Sequence, residues 1–506
     1  MTGPSSTHEH DAYAPRAAQP SVAHGVCFPI VAWGWIGTAG LLGVALLGFL
    51  ASAATTAPAE HHAGAMPAAW WIGCAPFVLL ILAIAVFPLV PPIARWWHHN
   101  ANKLAISLVA AFATLAYVAL TASPEAATTA ARGAVVLDFV PFILLLFALY
   151  VVSGGIHLEG DLIARPSTTT GLLALGAAIA SVVGTTGASM LLIRPLLSTI
   201  SERRHRVHTV IFFIFLVSNI GGTLLPIGDP PLFMGFLRGV PFWWTLSLWK
   251  EWLFCCATLL VLHYVIDRIA WSRETAASRL YDRLRAKPLR LVGGVNLLWL
   301  ALVILTVAFV DQRRELPFIG VAPPPFAREA ILIGLSALSV LTTPRSVREA
   351  NRFSYGAIGE VAAVFIGIFV SMHVPLELLN EHGGALGITT PGQFFWATGM
   401  LSSFLDNAPT YVVFLQAADV LPDAQGVPLV TLTDGNALSE PLLAAVSLGA
   451  VFMGANTYIG NGPNFMVRSI ADESGVRMPS FFGYMLWSIG ILVPLFLLVH
   501  LLFLAP

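Results

Sequence analysis

Apolar runs of about 20 residues, the length that crosses a bilayer as a helix, recur along the chain between short polar loops. Eleven are expected, beginning near Cys27, Ala69, Lys103, Val135, Val207, Phe242, Leu291, Glu329, Gly356, Ala437 and Ser480. Two further apolar stretches, residues 169–197 and 391–417, are long enough to cross once or to enter and turn back. This pattern predicts an all-α polytopic membrane protein. Residues 1–26 are polar, and the run 27–51 after them is too long for the apolar stretch of a cleaved signal, so it is expected to remain as a span.

Composition agrees. Of 506 residues, 57% are apolar and 10% charged, with a mean hydropathy of +0.79, far from the balance of soluble domains. A net charge of −1 and the lack of a basic run interleaved with aromatics exclude nucleic acid as a partner and leave membrane lipid as the surroundings. Cys27, Cys74, Cys255 and Cys256 lie in apolar segments without metal-ligand spacing, and the histidines of the polar tail and loops (His8, His10, His61, His62, His98, His99) read as solvated rather than ligating.

Basic residues set the topology, because short cytoplasmic loops are rich in Lys and Arg. The densest clusters, "SERRHRVH" from Ser201 and "SRETAASRLYDRLRAKPLR" from Ser272, should be cytoplasmic, with two spans between them. The count works only if 169–197 is a re-entrant hairpin from the cytoplasm and 391–417 one from outside. The N-terminus is then cytoplasmic and the C-terminus external, with 20 of 26 basic residues inside. The expected order is a polar N-terminus (1–26), a first group of helices (27–134), a first half (135–268), a basic amphipathic linker helix (269–290), further helices (291–343) and a second half (356–504).

The two repeats are visible as sequence. "GTLLPIGDPPLFM" from Gly222 aligns without gaps on "GANTYIGNGPNFM" from Gly454, identical at six of thirteen positions, with Asp229 falling on Asn461. Upstream, "SVVGTTGASMLL" from Ser181 falls on "SFLDNAPTYVVF" from Ser403. Glycines and prolines in the middle of an apolar span predict broken helices, 207–236 and 437–466, each paired with a hairpin. With the hairpins entering from opposite faces, the repeats are inverted, an arrangement that places a binding site at the midplane.

At these residues the chain resembles the ion-transporter superfamily, most closely the bacterial NhaD-type sodium/proton antiporters and the related CitMHS-like citrate-transporter family. The resemblance covers residues 135–504 and rests on the tips "VGTTGA" and "LDNAPT" and the loops "GGTLLPIGDPP" and "ANTYIGNGP". It implies that helices 27–134 and 291–343 form a scaffold and that 135–268 and 356–504 are two transport repeats, with elevator-type motion, a homodimer and a bacterial inner (plasma) membrane location. Dicarboxylate carriers of the superfamily carry Ser-Asn-Thr at both tips. Here the tips read Gly184-Thr185-Thr186 and Asp406-Asn407-Ala408-Pro409.

Carboxylates inside a membrane are functional by default. Asp229 and Asp406 are expected to form a site for sodium or lithium, completed by Asn407, Thr185, Thr186, Thr223, Asn456, Asn461 and the carbonyl of Gly228, since hard oxygens suit small cations. Asp406 also fits an N-cap. Two neighbouring acids can trade a proton for the cation, which gives a sodium/proton antiporter. Glu360, Asp138, Thr410, Ser153, Ser371 and His373 are secondary candidates, and no lysine is expected in the core to pair with the acids. No cofactor is expected beyond the transported ions. A cation-coupled citrate or dicarboxylate symporter and an arsenite or oxyanion exporter are the alternatives. An intramembrane protease is disfavoured by Pro226, where Gly-x-Gly-Asp would need glycine.

Overall fold

The computed structural model describes residues 70–505, apart from 312–314, 316–319, 383–386, 422–425 and 434. The polar N-terminus and the expected first span, 27–51, lie outside the described residues. The chain is an all-α polytopic membrane protein. Helices α1 (Trp70–Val86), α2 (Pro91–Trp97), α3 (Asn100–Thr121) and α4 (Pro124–Arg132) come first. A π-helical turn at Gly133–Phe139 carries α4 on into α5 (Val140–Ser153).

Strand β1 (His157–Asp161) leads to α6 (Pro166–Val183) and α7 (Thr185–Thr199). Then follow α8 (Val207–Leu216), α9 (Pro230–Leu237), α10 (Trp249–Ser272), α11 (Ala276–Arg285) and β2 (Lys287–Val292). Next are α12 (Val295–Phe309), α13 (Ala327–Thr342), α14 (Arg345–Ala350), α15 (Gly356–Ser371) and α16 (His373–His382). The last third contains α17 (Pro391–Ser402), α18 (Asn407–Asp419), β3 (Leu429–Thr431), β4 (Ala437–Ser439), α19 (Glu440–Met453), α20 (Gly462–Glu473) and α21 (Phe481–Val499).

Six helical stretches among the described residues are long and apolar enough to cross a membrane: Asn100–Thr121, Pro124–Ser153, Pro166–Val183, Trp244–Ser272, Gly356–Glu381 and Phe481–Leu504. Shorter apolar helices stand at Trp70–Val86, Val207–Thr223, Val295–Phe309 and Glu440–Asn456. Nine of these, together with α13, lie at the ten expected starts from Ala69 onward, and α6, expected to be one arm of a hairpin, is also long and apolar enough to cross. Large apolar side chains such as Phe112, Val261 and Leu486 are exposed on the outside of the bundle, as a bilayer around it requires. Small residues bring helices together inside the bundle. A Cβ on Gly367 of α15 would lie 2.6 Å from the Cα of Ser107 in α3, and one on Gly449 of α19 would lie 2.6 Å from the carbonyl of Phe395 in α17.

Helix α6 opens on Pro166, whose fixed φ suits a first helical position. It ends at Gly184, where φ is +79°, a conformation that favours glycine. The chain therefore reverses in a single residue before α7. In the second half a capping box, Thr390 with Gln393, starts α17, which stops after 12 residues. At 1.5 Å per residue α17 is about 18 Å long, short of a hydrocarbon core of about 30 Å.

Three expectations on boundaries are corrected. The second broken helix begins at Glu440 rather than 437, because 437–439 pairs with β3 as an antiparallel ribbon. The linker 269–290 is not one helix: α10 runs on to Ser272, and β2 leaves α11 to pair with β1, His157 opposite Val292. The span expected from Val135 starts earlier, because the π-helical turn joins it to α4.

Candidate functional site

Two interruptions in the backbone face one another at the centre of the bundle. In the first half a short turn, Ile220–Thr223, separates α8 from α9. Its packing is too close for side chains: a Cβ on Gly222 would lie 2.6 Å from Thr185 Cγ2 and 2.9 Å from the carbonyl oxygen of Gly228. The second half repeats this closeness six residues apart, where a Cβ on Gly460 would lie 2.6 Å from the carbonyl oxygen of Gly454.

Asp229 and Asn461 hold aligned positions as the N-cap residues of α9 and α20, both with extended backbone. Neither side chain caps its own helix. Both turn into the centre instead. The Asp229 carboxylate, 1% exposed, accepts from three donors: Thr185 Oγ1 at 2.8 Å, Asn407 Nδ2 at 2.7 Å and Asn461 Nδ2 at 3.2 Å. Thr185 is the first residue of α7 and Asn407 the first of α18. One carboxylate thus collects bonds from both hairpin tips and from the other broken helix. The backbone of the first tip joins in, since Thr185 N donates to the carbonyl of Gly228 at 2.8 Å.

Asp406 caps α18 by accepting from Ala408 N at 3.1 Å, and it precedes in the chain the Asn407 that bonds Asp229. Asn456 Nδ2 donates to Ser403 Oγ at 2.9 Å. Among the described residues, Asn407 Oδ1 and Asn456 Oδ1 are buried acceptors without a hydrogen-bond partner. Such groups are rare in a folded interior.

The structure therefore gathers Thr185, Gly228, Asp229, Asn407 and Asn461, with Asp406 and Asn456 adjoining. Thr186 follows at the first tip, half-buried. Thr223 bonds within its own turn, to the carbonyl of Ile220 at 2.7 Å, and Thr410 bonds back to that of Asp406 at 3.1 Å. Ser153 packs against the start of α7, its Oγ 2.7 Å from where a Gly187 Cβ would stand. Ser371 is buried and leans toward the carbonyl of Ile368.

Three secondary candidates have other partners. Glu360 pairs with Lys103 at 2.5 Å, which corrects the expectation that no lysine would meet these acids: Lys103, in the first turn of α3, is buried with 3% exposure, while Glu360, near the start of α15, is half-exposed. Asp138 pairs with Arg238 at 3.2 Å, and His373 with Glu377 one helical turn on at 3.1 Å.

Sequence reasoning missed an inner ring of polar residues. Asn219 donates to Asn464 Oδ1 at 2.7 Å, and Asn461 Nδ2 also reaches the carbonyl of Ser218 at 3.1 Å. Ser181 donates to the carbonyl of Gly221 at 2.6 Å, and Ser403 to that of Met453 at 3.1 Å. The serines were findable, because they align with one another in the repeat and bond to aligned carbonyls.

Interrupted helices converging on a buried carboxylate inside an apolar bundle define a secondary transporter. Residues 65–504 match the family model described as "Putative citrate transport". The chain belongs to that family, which lies within the ion-transporter superfamily. No curated protein matches it. The family is one of transport, not of catalysis.

Proposed function

We propose that the protein exchanges a small cation, sodium or lithium, for protons across the membrane, with Asp229 and Asp406 as the acids they compete for. The observation that carries this reading is the set of groups around Asp229, which are all neutral donors, with a second acid, Asp406, next in the chain to one of them. An ionised carboxylate left uncompensated in a low-dielectric interior costs several kcal/mol, so the pair needs either a cation or a proton. Asn407 Oδ1 and Asn456 Oδ1 supply hard oxygens of the type that sodium prefers.

Exchange follows from this competition. A proton neutralises the site when the cation leaves, and the arriving cation displaces it. The aligned hairpins and broken helices support an inverted repeat whose transport half moves against a scaffold, and the family resemblance supports a homodimer. In everted vesicles, adding Na⁺ or Li⁺ should collapse an imposed pH gradient. A gradient untouched by either ion would refute exchange.

A second reading, cation-coupled citrate uptake, is favoured by the family match. Thr185, Thr186, Asn407 and Thr410 would then bind a carboxylate whose charge is screened by a bound cation. The absence of Ser-Asn-Thr at either tip speaks against it. Proteoliposomes separate the two readings, since labelled citrate accumulates only under the second.

A further inference from the structure

Helix α11 is amphipathic in an unusual sense, for its polar side faces the protein and its apolar side faces out. Ser278 donates to the carbonyl of Glu202 at 2.6 Å, and both oxygens of Asp282 accept from Ala164 N at 3.0 and 3.1 Å. Arg279 stacks on the Trp271 ring, 4.2 Å from its centroid. On the opposite side Leu280, Tyr281 and Leu284 are 57%, 61% and 73% exposed. At 100° per residue these three and Ala277 fall in one arc, with Arg283 at one edge and Arg285 at the other.

Charge is sorted in the same way. Both acids between Arg273 and Arg290 are buried and bonded inward: Asp282 as above, and Glu274 accepting from Arg204 N and His205 N at 2.9 Å. Arg273, Arg283, Lys287 and Arg290 are exposed. Apart from Thr275 and Tyr281, the exposed side chains of this segment are therefore apolar or basic, with Lys287 and Arg290 opposite Asp161 and Glu159 of β1. It also continues from an apolar outer face, since α10 exposes Val261, Val265 and Ile269 up to its end at Ser272, with three residues between it and the start of α11.

We propose that the outer arc of α11 lies in the headgroup layer of the membrane and binds anionic lipid, with Leu280 and Leu284 among the acyl chains and Arg283, Arg273, Lys287 and Arg290 on the phosphates. An amphipathic helix beside a charged leaflet gains from both its apolar face and its basic flanks. Tyr281 suits the same depth, where aromatic rings with a polar tip collect. The helix thereby fixes the α6–α7 end of the protein to the bilayer surface through Asp282 and Ala164.

The test uses the full chain, purified and reconstituted, carrying Leu284→Cys with Cys27→Ser and a nitroxide on the introduced thiol. The three other native cysteines are buried. Power saturation should show the label more accessible to oxygen than to a water-soluble nickel reagent. Fluorescence from a bimane at the same position should be quenched more by spin-labelled phosphatidylglycerol than by spin-labelled phosphatidylcholine. One basic residue at an anionic surface contributes about fivefold in local lipid affinity. The variant Arg283→Gln with Lys287→Gln should therefore lose the preference for the anionic lipid while keeping the oxygen signature, which shows that it is still folded and embedded. Equal quenching by both lipids in the parent would overturn the anionic preference. A label more accessible to nickel than to oxygen would overturn docking altogether. Disulfide crosslinking of two unlabelled Leu284→Cys copies in lipid would do the same, because it would make the face a protein interface.

Discussion

Asn407 and Asp229 stand 178 positions apart in the chain, and the amide Nδ2 of one donates to Oδ2 of the other at 2.7 Å. This bond ties the second hairpin to the first broken helix. A hydrogen bond to a charged group is worth about 1.5–3 kcal/mol. Asn407→Ala should accordingly weaken half-maximal Na⁺ activation of proton flux by roughly 10- to 150-fold, with the protein still inserted. Vesicle fluorescence against Na⁺ concentration reads the shift, and an unchanged midpoint would remove Asn407 from the site.

Asp406 serves as a helix cap and, in the proposed exchange, as an acid. Asparagine caps as well as aspartate does, whereas alanine costs about 1 kcal/mol at such a position. Asp406→Asn should therefore leave the melting temperature in detergent unchanged while abolishing cation–proton exchange, and Asp406→Ala should lower both. Full flux in the asparagine variant would reduce Asp406 to its capping role.

Close backbone packing makes a sharp prediction about glycines. Alanine at Gly460 would put its Cβ 2.6 Å from one carbonyl oxygen and 2.7 Å from another, those of Gly454 and Ser402, while Gly462 has open space around it. Overpacking costs about 1–3 kcal/mol. Gly460→Ala should melt earlier and transport poorly, with Gly462→Ala close to the parent in both thermal unfolding and flux.

Away from the centre, a buried knot fastens α6, α8 and α10. Asp267 of α10 takes an ion pair from Arg203, a bond from His208 Nε2 at 2.8 Å and one from Thr169 Oγ1 at 2.7 Å. Removing one partner of a buried pair strands the other and costs about 3–5 kcal/mol. Asp267→Asn should destabilise strongly in thermal melts. The double variant Arg203→Met, Asp267→Leu should be less damaged than either single change.

On the loop side of this knot, burial pushes the carboxyls of Asp161 and Asp282 above their usual range, and the charge of Glu202 adds to it. Folding thus makes both groups bind protons more tightly. Their contribution to stability is largest below the unfolded value near 4 and declines as pH rises through the folded values. Hydrogen-exchange protection in the β1–β2 ribbon, corrected for the intrinsic rate, should be greater at pH 4 than at pH 7, and Asp161→Asn should flatten the difference.

Much of this architecture is legible in sequence because the bilayer sets element length, and because breaking a membrane helix takes glycine and proline. Gly184, the loop Gly222–Asp229 and the alignment of Asp229 with Asn461 are local signals, and each marks a place where the structure reverses or opens. The unread parts depend on distant pairing. Strands β1 and β2 carry no alternation that announces a partner more than a hundred residues away. Lys103 reads as the edge of a span until α15 brings Glu360 beside it. Asn219 and Asn464 do not align in the repeat, so only the crossing of the two broken helices reveals that they bond.

The positions of Asp229 and Asn461 bear on how the two halves have parted company. Aligned positions offer a negative acceptor on one side and an amide donor on the other, and the 3.2 Å bond between them joins the halves. A chain assembled from two first halves would set two carboxylates against each other there, and one from two second halves would hold no acid at that point. The two aligned positions are complementary, one an acceptor and the other a donor, and neither can stand in for the other.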